Sequence, residues 1–96
     1  SHIEIEKIVK IELNNFKDRL KSVDYKLKID NKVLKFLSIK GYDKEFGARP
    51  IKRAIQKYLE VDLAKKIVNS EIKKGDKIEI THLKDAEILN IKVLKS

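Results

Sequence analysis

One short strand constrains this chain more than any other feature. Tyr25, Leu27 and Ile29 alternate with Lys26 and Lys28, the period-two pattern of a strand with one buried face. A single strand of this length cannot stand alone, and the residues on either side of it follow a helical period. Its partners must therefore come from later in the chain. Before it, Ile5, Ile8, Val9, Leu13, Phe16 and Leu20 fall within one arc at 3.6 residues per turn, with Lys7, Lys10, Asn14, Lys17 and Lys21 opposite. This predicts an amphipathic helix over residues 4–21. After it, Asp30 is a good N-cap for a helix that buries Val33, Phe36 and Leu37 and stops at Gly41, a residue suited to the left-handed position that follows a helix.

A turn over residues 42–47 separates this helix from the next. Pro50, the sole proline, stands at the first helical position, where its missing N–H costs nothing, and Ile51, Ala54, Ile55, Tyr58 and Leu59 carry the apolar face onward. That face cannot run straight on, because Asp62 would land at its centre. Leu63, Ile67 and Val68 restore it only with a slip of phase. The slip predicts a break near Val61, with Asp62 capping a fourth helix that ends about Ser70. Lys74-Gly75-Asp76 is a turn, and Ile78 and Ile80, then Leu89, Ile91 and Val93, alternate as two strands joined by a loop over residues 82–87. The expected fold is α+β, about four helices packed on a three-stranded sheet in a single domain over residues 4–94, with residues 1–3 a remnant of cloning.

Size and charge narrow the function. At 96 residues and 11.2 kDa the chain makes one small domain, too small for a large active site of its own. It has no cysteine, which removes disulfides and thiolate metal sites and fits a cytoplasmic setting. No apolar run approaches the roughly 18 residues of a membrane span. The net charge of +8 comes from 23 basic residues, 20 of them lysine, spread over both halves: +3 in residues 1–48 and +5 in residues 49–96. Such a spread reads mainly as solvated surface. His2 and His82 have no metal-ligand spacing, the glycines stand singly at Gly41, Gly47 and Gly75, and Asp43 and Glu45 sit in a turn. The chain is not expected to be an enzyme by itself, and neither catalytic nor metal-binding residues are assigned.

One place breaks the usual rules. The helix starting at Pro50 has Arg49 at its expected cap position and Lys52 and Arg53 in its first turn, three cations where the helix dipole is already positive. Arginine cannot accept from the orphan N–H groups. Gly47 and Ala48 would let a ligand or another segment come close. Two readings stand side by side: an anion site, above all for phosphate, or solvated Lys52 and Arg53 with Arg49 paired to a carboxylate such as Glu45.

The run from Gly41 to Gln56, GYDKEFGARPIKRAIQ, closely resembles the G-Y-D-x-x-F/Y-G-A-R-P-L-x-R-A-I-Q segment of Clp-type AAA+ unfoldases, in the small C-terminal subdomain of their second ATPase module. The likeness continues through Leu63-Ala64-Lys65-Lys66-Ile67 and Gly75-Asp76-Lys77-Ile78 and covers about residues 4–81. The Ile11-Glu12-Leu13 run and Gln56-x-Tyr58 lean to the ClpC type. Two positions depart from the pattern: Ile51 stands for the usual Leu, and Asp62 where the family often has Pro.

The resemblance implies that Arg49 is the second-sensor arginine, reaching the γ-phosphate of ATP held by a neighbouring large subdomain. Gly47, Ala48, Lys52 and Arg53 then play supporting parts. It further implies that ATP or ADP with Mg²⁺ is held mainly by that large subdomain, and that the Walker A loop, Walker B carboxylates, pore loop and protease-docking loop lie outside this chain. The implied partners are the large subdomain of the same chain, neighbouring subunits of a hexamer, and a Clp protease reached through the parent protein. Neither a membrane nor a specific nucleic acid is expected. Against this stand two other readings: a basic nucleic-acid-binding module, which the charge permits but buried aromatics at Phe16, Tyr25, Phe36 and Tyr58 would argue against, and a structural interaction domain in which Arg49 is buried in an internal salt bridge.

Overall fold

The computed structural model describes residues 2–43, 45, 47 and 49–94. Helix α1 (His2–Lys21) leads into strand β1 (Lys26–Ile29) and helix α2 (Asn31–Lys40). After the turn come α3 (Ile51–Ile55), a π-helical turn (Gln56–Glu60) and α4 (Val61–Val68). Strands β2 (Lys77–Thr81) and β3 (Asn90–Leu94) close the chain. The sheet has the order β1-β2-β3, with β1 parallel and β3 antiparallel to β2. The isolated strand thus finds its partner beyond three helical segments, and the fold is α+β as the change of period requires.

Register gives the sheet two distinct faces. The rows Leu27–Ile78–Val93 and Ile29–Ile80–Ile91 turn toward the helices, and Ile78 and Ile80 are fully buried. The rows Lys26–Lys77–Leu94 and Lys28–Glu79–Lys92 lie on the opposite face. On the buried side α1 contributes Ile5, Val9, Leu13 and Phe16, packed with Val33, Phe36 and Leu37 of α2 and Ile51, Ala54, Ile55, Leu59 and Leu63 of the later helical segments. Each fully buried aliphatic side chain in this cluster contributes about 1.5–3 kcal/mol relative to exposure. Ile8 lies off this stripe and is exposed, because it stands about 100° around the helix from Val9.

The ends of the helices differ from expectation in instructive ways. Asp30 caps α2 as predicted, its carboxylate accepting from Lys32 N–H at 2.9 Å. Gly41 does end α2, but its φ is −93°, outside the left-handed region. Left-handed residues instead follow α1 and α4, at Asp24 (φ 72°) and Ser70 (φ 61°). At each, two backbone bonds close the helix: Tyr25 N–H to Leu20 O and Asp24 N–H to Lys21 O, and Glu71 N–H to Lys66 O and Ser70 N–H to Ile67 O. This is the Schellman arrangement, built here without glycine.

The predicted break near Val61 is absent, and Asp62 caps nothing. Residues 51–68 form one helical rod, with Ile55, Glu60 and Val61 all in the right-handed helical region. The extra residue of the π turn, in which Val61 N–H bonds to Gln56 O, absorbs the phase slip. It returns Leu63 to the core and sets Asp62 at the edge of the buried face. The fold therefore has three continuous helical bodies rather than four.

The turn before β2 is also fixed from within. Asp76 is buried, its carboxylate accepts from Lys73 N–H at 2.9 Å, and its own N–H donates to Lys73 O at 3.0 Å. Gly75 (φ 89°) donates to Asp24 O at 2.8 Å, tying this turn to the end of α1. Leu89, expected in the last strand, lies just before β3 and is buried.

Candidate functional site

The segment from α2 to α3 is a compact turn followed by an unusual helix start. Asp43 and Gly47 exchange two backbone hydrogen bonds, Asp43 N–H to Gly47 O at 2.9 Å and Gly47 N–H to Asp43 O at 2.6 Å. The Asp43 carboxylate accepts from Glu45 N–H at 2.8 Å, closing the turn from inside. Gly47 has φ 63°, which explains glycine at this position, and space for a side chain exists around it. Ala48 lies outside the described residues.

Pro50, not Arg49, occupies the cap position of α3. Its carbonyl accepts the first helical bond, from Ala54 N–H at 2.9 Å, while its φ of −77° and ψ of 5° keep it outside the helix proper. No side chain caps this end, and the first turn holds no acidic residue. Arg49 stands one residue before the cap, exposed, and Lys52 and Arg53 are exposed in the first turn. The burial of Arg49 that a purely structural role calls for is not found.

Lys52 faces different surroundings from its neighbours in sequence. It lines a cavity of about 300 Å³ between α1 and the helical rod, together with Glu12, Asn15, Arg19, Gln56 and Glu60. Arg19 Nη2 and Glu60 Oε1 are 3.2 Å apart across this gap. Two carboxylates therefore share the lining with Lys52, whereas Arg49 and Arg53 are not part of it.

The rigidity of the helix start comes from a contact that sequence reasoning missed. A Cβ on Gly41 would lie 2.9 Å from both Cα and Cγ1 of Ile51 and 3.0 Å from Leu37 O. Glycine is needed here because the end of α2 meets the first residue of α3 backbone to backbone, and Ile51 is itself fully buried. Arg49 is thus two residues from a pinned point. The sequence signal was Gly41 opening the recognised segment, read as a helix stop when its main work is close approach.

The aromatic rings offer little for stacking on bases. Phe16 and Phe36 are buried, and Tyr25 and Tyr58 are half-buried. Phe36 packs edge-on against Tyr58 at 5.2 Å and lies tilted against His82 at 4.4 Å. Among the described residues Tyr42 is the one aromatic side chain that is exposed rather than buried or half-buried. Those residues hold no group of three or more His, Cys, Asp or Glu that could bind a metal, and no helix long and apolar enough to cross a membrane.

The family described as the C-terminal, D2-small domain of ClpB protein matches residues 1–80. The chain belongs to the ClpB D2-small domain family. Similar proteins bear this out. "Chaperone protein ClpB 2" of Synechocystis sp. is 43% identical over 77 residues, 80% of this chain and 9% of that protein. "Chaperone protein ClpB" of Rickettsia felis is 41% identical over 90 residues, 94% of this chain and 10% of that protein. That of Aquifex aeolicus is 41% identical over 88 residues, 92% of this chain and 9% of that protein. The D2-small chain thus spans about a tenth of the length of these relatives. They carry the ClpB name rather than that of the ClpC type to which Ile11-Glu12-Leu13 and Gln56-x-Tyr58 lean.

Proposed function

We propose that this chain is the nucleotide-sensing and ring-assembly small subdomain of an ATP-dependent, cytoplasmic Clp chaperone, with Arg49 as the sensor of the ATP γ-phosphate. Residues 4–94 act as one body. The observation that carries the reading is Arg49 itself: an exposed guanidinium just ahead of a helical rod, in a ClpB D2-small chain, two residues from the Gly41–Ile51 contact.

The physical requirement is a fixed positive charge with a forked donor set. Arginine stays protonated at any relevant pH and can place two parallel N–H bonds on phosphate oxygens, which lysine cannot. ATP and Mg²⁺ are held mainly by the large subdomain of the same parent chain, so the isolated chain binds nucleotide weakly and does not hydrolyse it. Arg49 engages the γ-phosphate when the triphosphate is present and loses that contact when the phosphate leaves. The pull at Arg49 passes into Ile51, Gly41 and α2 and so moves the whole small subdomain relative to its neighbour. Such motion is a differential contact between two states, the minimum needed for coupling. Gly47 and Ala48, as small residue types, would let a ligand or another segment come close, and Arg53 adds positive field. Lys52, which shares its cavity with Glu12 and Glu60, has the weaker claim to phosphate.

Substituting Arg49→Ala in the full-length parent tests the reading. ATP turnover and protein unfolding fall sharply, while the thermal transition of the 96-residue chain carrying the same change stays where it was. Turnover near that of the unsubstituted protein would remove the sensor role.

A further inference from the structure

The outer edge of β1 combines three features that the nucleotide reading does not use. The first is an unpaired strand edge. Lys26 N–H bonds to Asp76 O and Asp30 N–H to Ile80 O, so the alternate backbone groups of Leu27 and Ile29 point away from β2. Among the described residues no backbone hydrogen bond reaches them, and β1 ends the sheet. The second is apolar surface: Leu27 and Ile29 are only half-buried against the core. The third is charge. On the open face of the sheet Lys26, Lys28, Lys77 and Lys92 surround Glu79, all four lysines are exposed, and none has an ion-pair partner among the described residues. A cavity of about 250 Å³ at this part of the sheet mixes Lys26, Lys28 and Lys77 with Leu27, Ile78 and Leu94.

We propose that the outer edge of β1 takes an extended acidic segment of a separate protein as a fourth strand, with Glu or Asp alternating with aliphatic residues. Neighbouring strands lie about 4.8 Å apart and same-face residues recur about every 6.8 Å. Acidic side chains at every second position of an added strand therefore fall beside Lys26 and Lys28, and the aliphatic ones beside Leu27 and Ile29. Main-chain bonds to Leu27 and Ile29 supply affinity, and the lysines supply selection. A second copy of β1 would set lysine against lysine, so the charge that discourages self-pairing favours an acidic partner. Nucleic acid fits less well, since this face presents neither an aromatic ring nor an arginine.

The test uses the 96-residue chain and a labelled, acetylated peptide of alternating Glu and Val, followed by fluorescence anisotropy and backbone amide NMR at roughly 0.15 M salt. The expected result is binding with amide shifts centred on Lys26–Ile29. It weakens about tenfold or more in the Lys26→Glu/Lys28→Glu double variant and is lost in Leu27→Pro, which deletes an outward N–H at an edge position where proline can be accommodated. A Glu-Ser peptide of equal charge and a short DNA duplex are expected to bind more weakly and without that localised shift. Absence of binding, equal binding of all three anionic probes, or binding indifferent to the charge-reversed variant would each overturn the proposal.

Discussion

Gly41 has no room for a methyl group. The methyl of an alanine at this position would meet the backbone of Ile51 as well as its side chain, so relief requires that the start of α3 move. Gly41→Ala is expected to cost about 1–3 kcal/mol, measured by chemical denaturation, and to carry Arg49 out of position with it. The left-handed residues behave in the opposite sense. Asp24 and Ser70 hold positive φ where glycine would be unstrained, so Asp24→Gly and Ser70→Gly should each raise stability by about 0.5–1 kcal/mol in the same assay. Asp76 is a third case: replacing it with Ala leaves the Lys73 N–H without its acceptor in a buried turn, at an expected cost of about 1–3 kcal/mol. At this scale sequence located the residues better than it explained them. Gly41 was visible as a helix end, but the close approach that demands it arises between segments that only the fold brings together.

The helical rod over residues 51–68 is where pattern and structure diverged most. Periodicity exposed the conflict at Asp62 but could not say how the chain resolves it. A break with a new cap and a π turn both shift the phase, and a π turn leaves the backbone dihedrals helical, with Glu60 at −62° and −44°. The strands were legible because a period of two has no such ambiguity once one face must be buried. Deleting Lys57 would remove the extra residue and restore a regular helix with Leu63 still on the core face, because a π turn adds one residue without advancing the phase. The deletion is expected to cost about 1 kcal/mol or less by chemical denaturation, whereas inserting one Ala after Lys57 swings Leu63 about 100° from the core and costs about 2–5 kcal/mol, as for truncating a buried leucine. Lys57→Ala, which keeps the residue count, should cost about 0.5 kcal/mol or less. A deletion as costly as the insertion would mean that the π turn does not set the register of Leu63.

Across the whole molecule, the radius of gyration of 13.3 Å is that of a compact chain of this length. Leu37 of α2 and Ile51, Ile55 and Leu59 of the helical rod belong to the same core, so on the proposed reading a force on Arg49 passes into one body. The charge of +8 divides accordingly: lysines on the open sheet face form one patch, and Arg49 with Arg53 marks another. The α+β class was readable from periodicity and the family from the Gly41–Gln56 segment, on which the proposed sensor role of Arg49 rests. The cap residue, the shared cavity of Lys52 and the open edge of β1 depend on distances and register that no pattern in the sequence carries. The central claim is that Arg49 distinguishes ATP from ADP, and equilibrium binding of the two nucleotides to the full-length parent and its Arg49→Ala variant tests it most directly. The account predicts that the variant loses about tenfold or more in ATP affinity, the loss of a charge-assisted contact, with ADP affinity unchanged; equal affinities for ATP in the two proteins, or an equal loss for ATP and ADP, would contradict it.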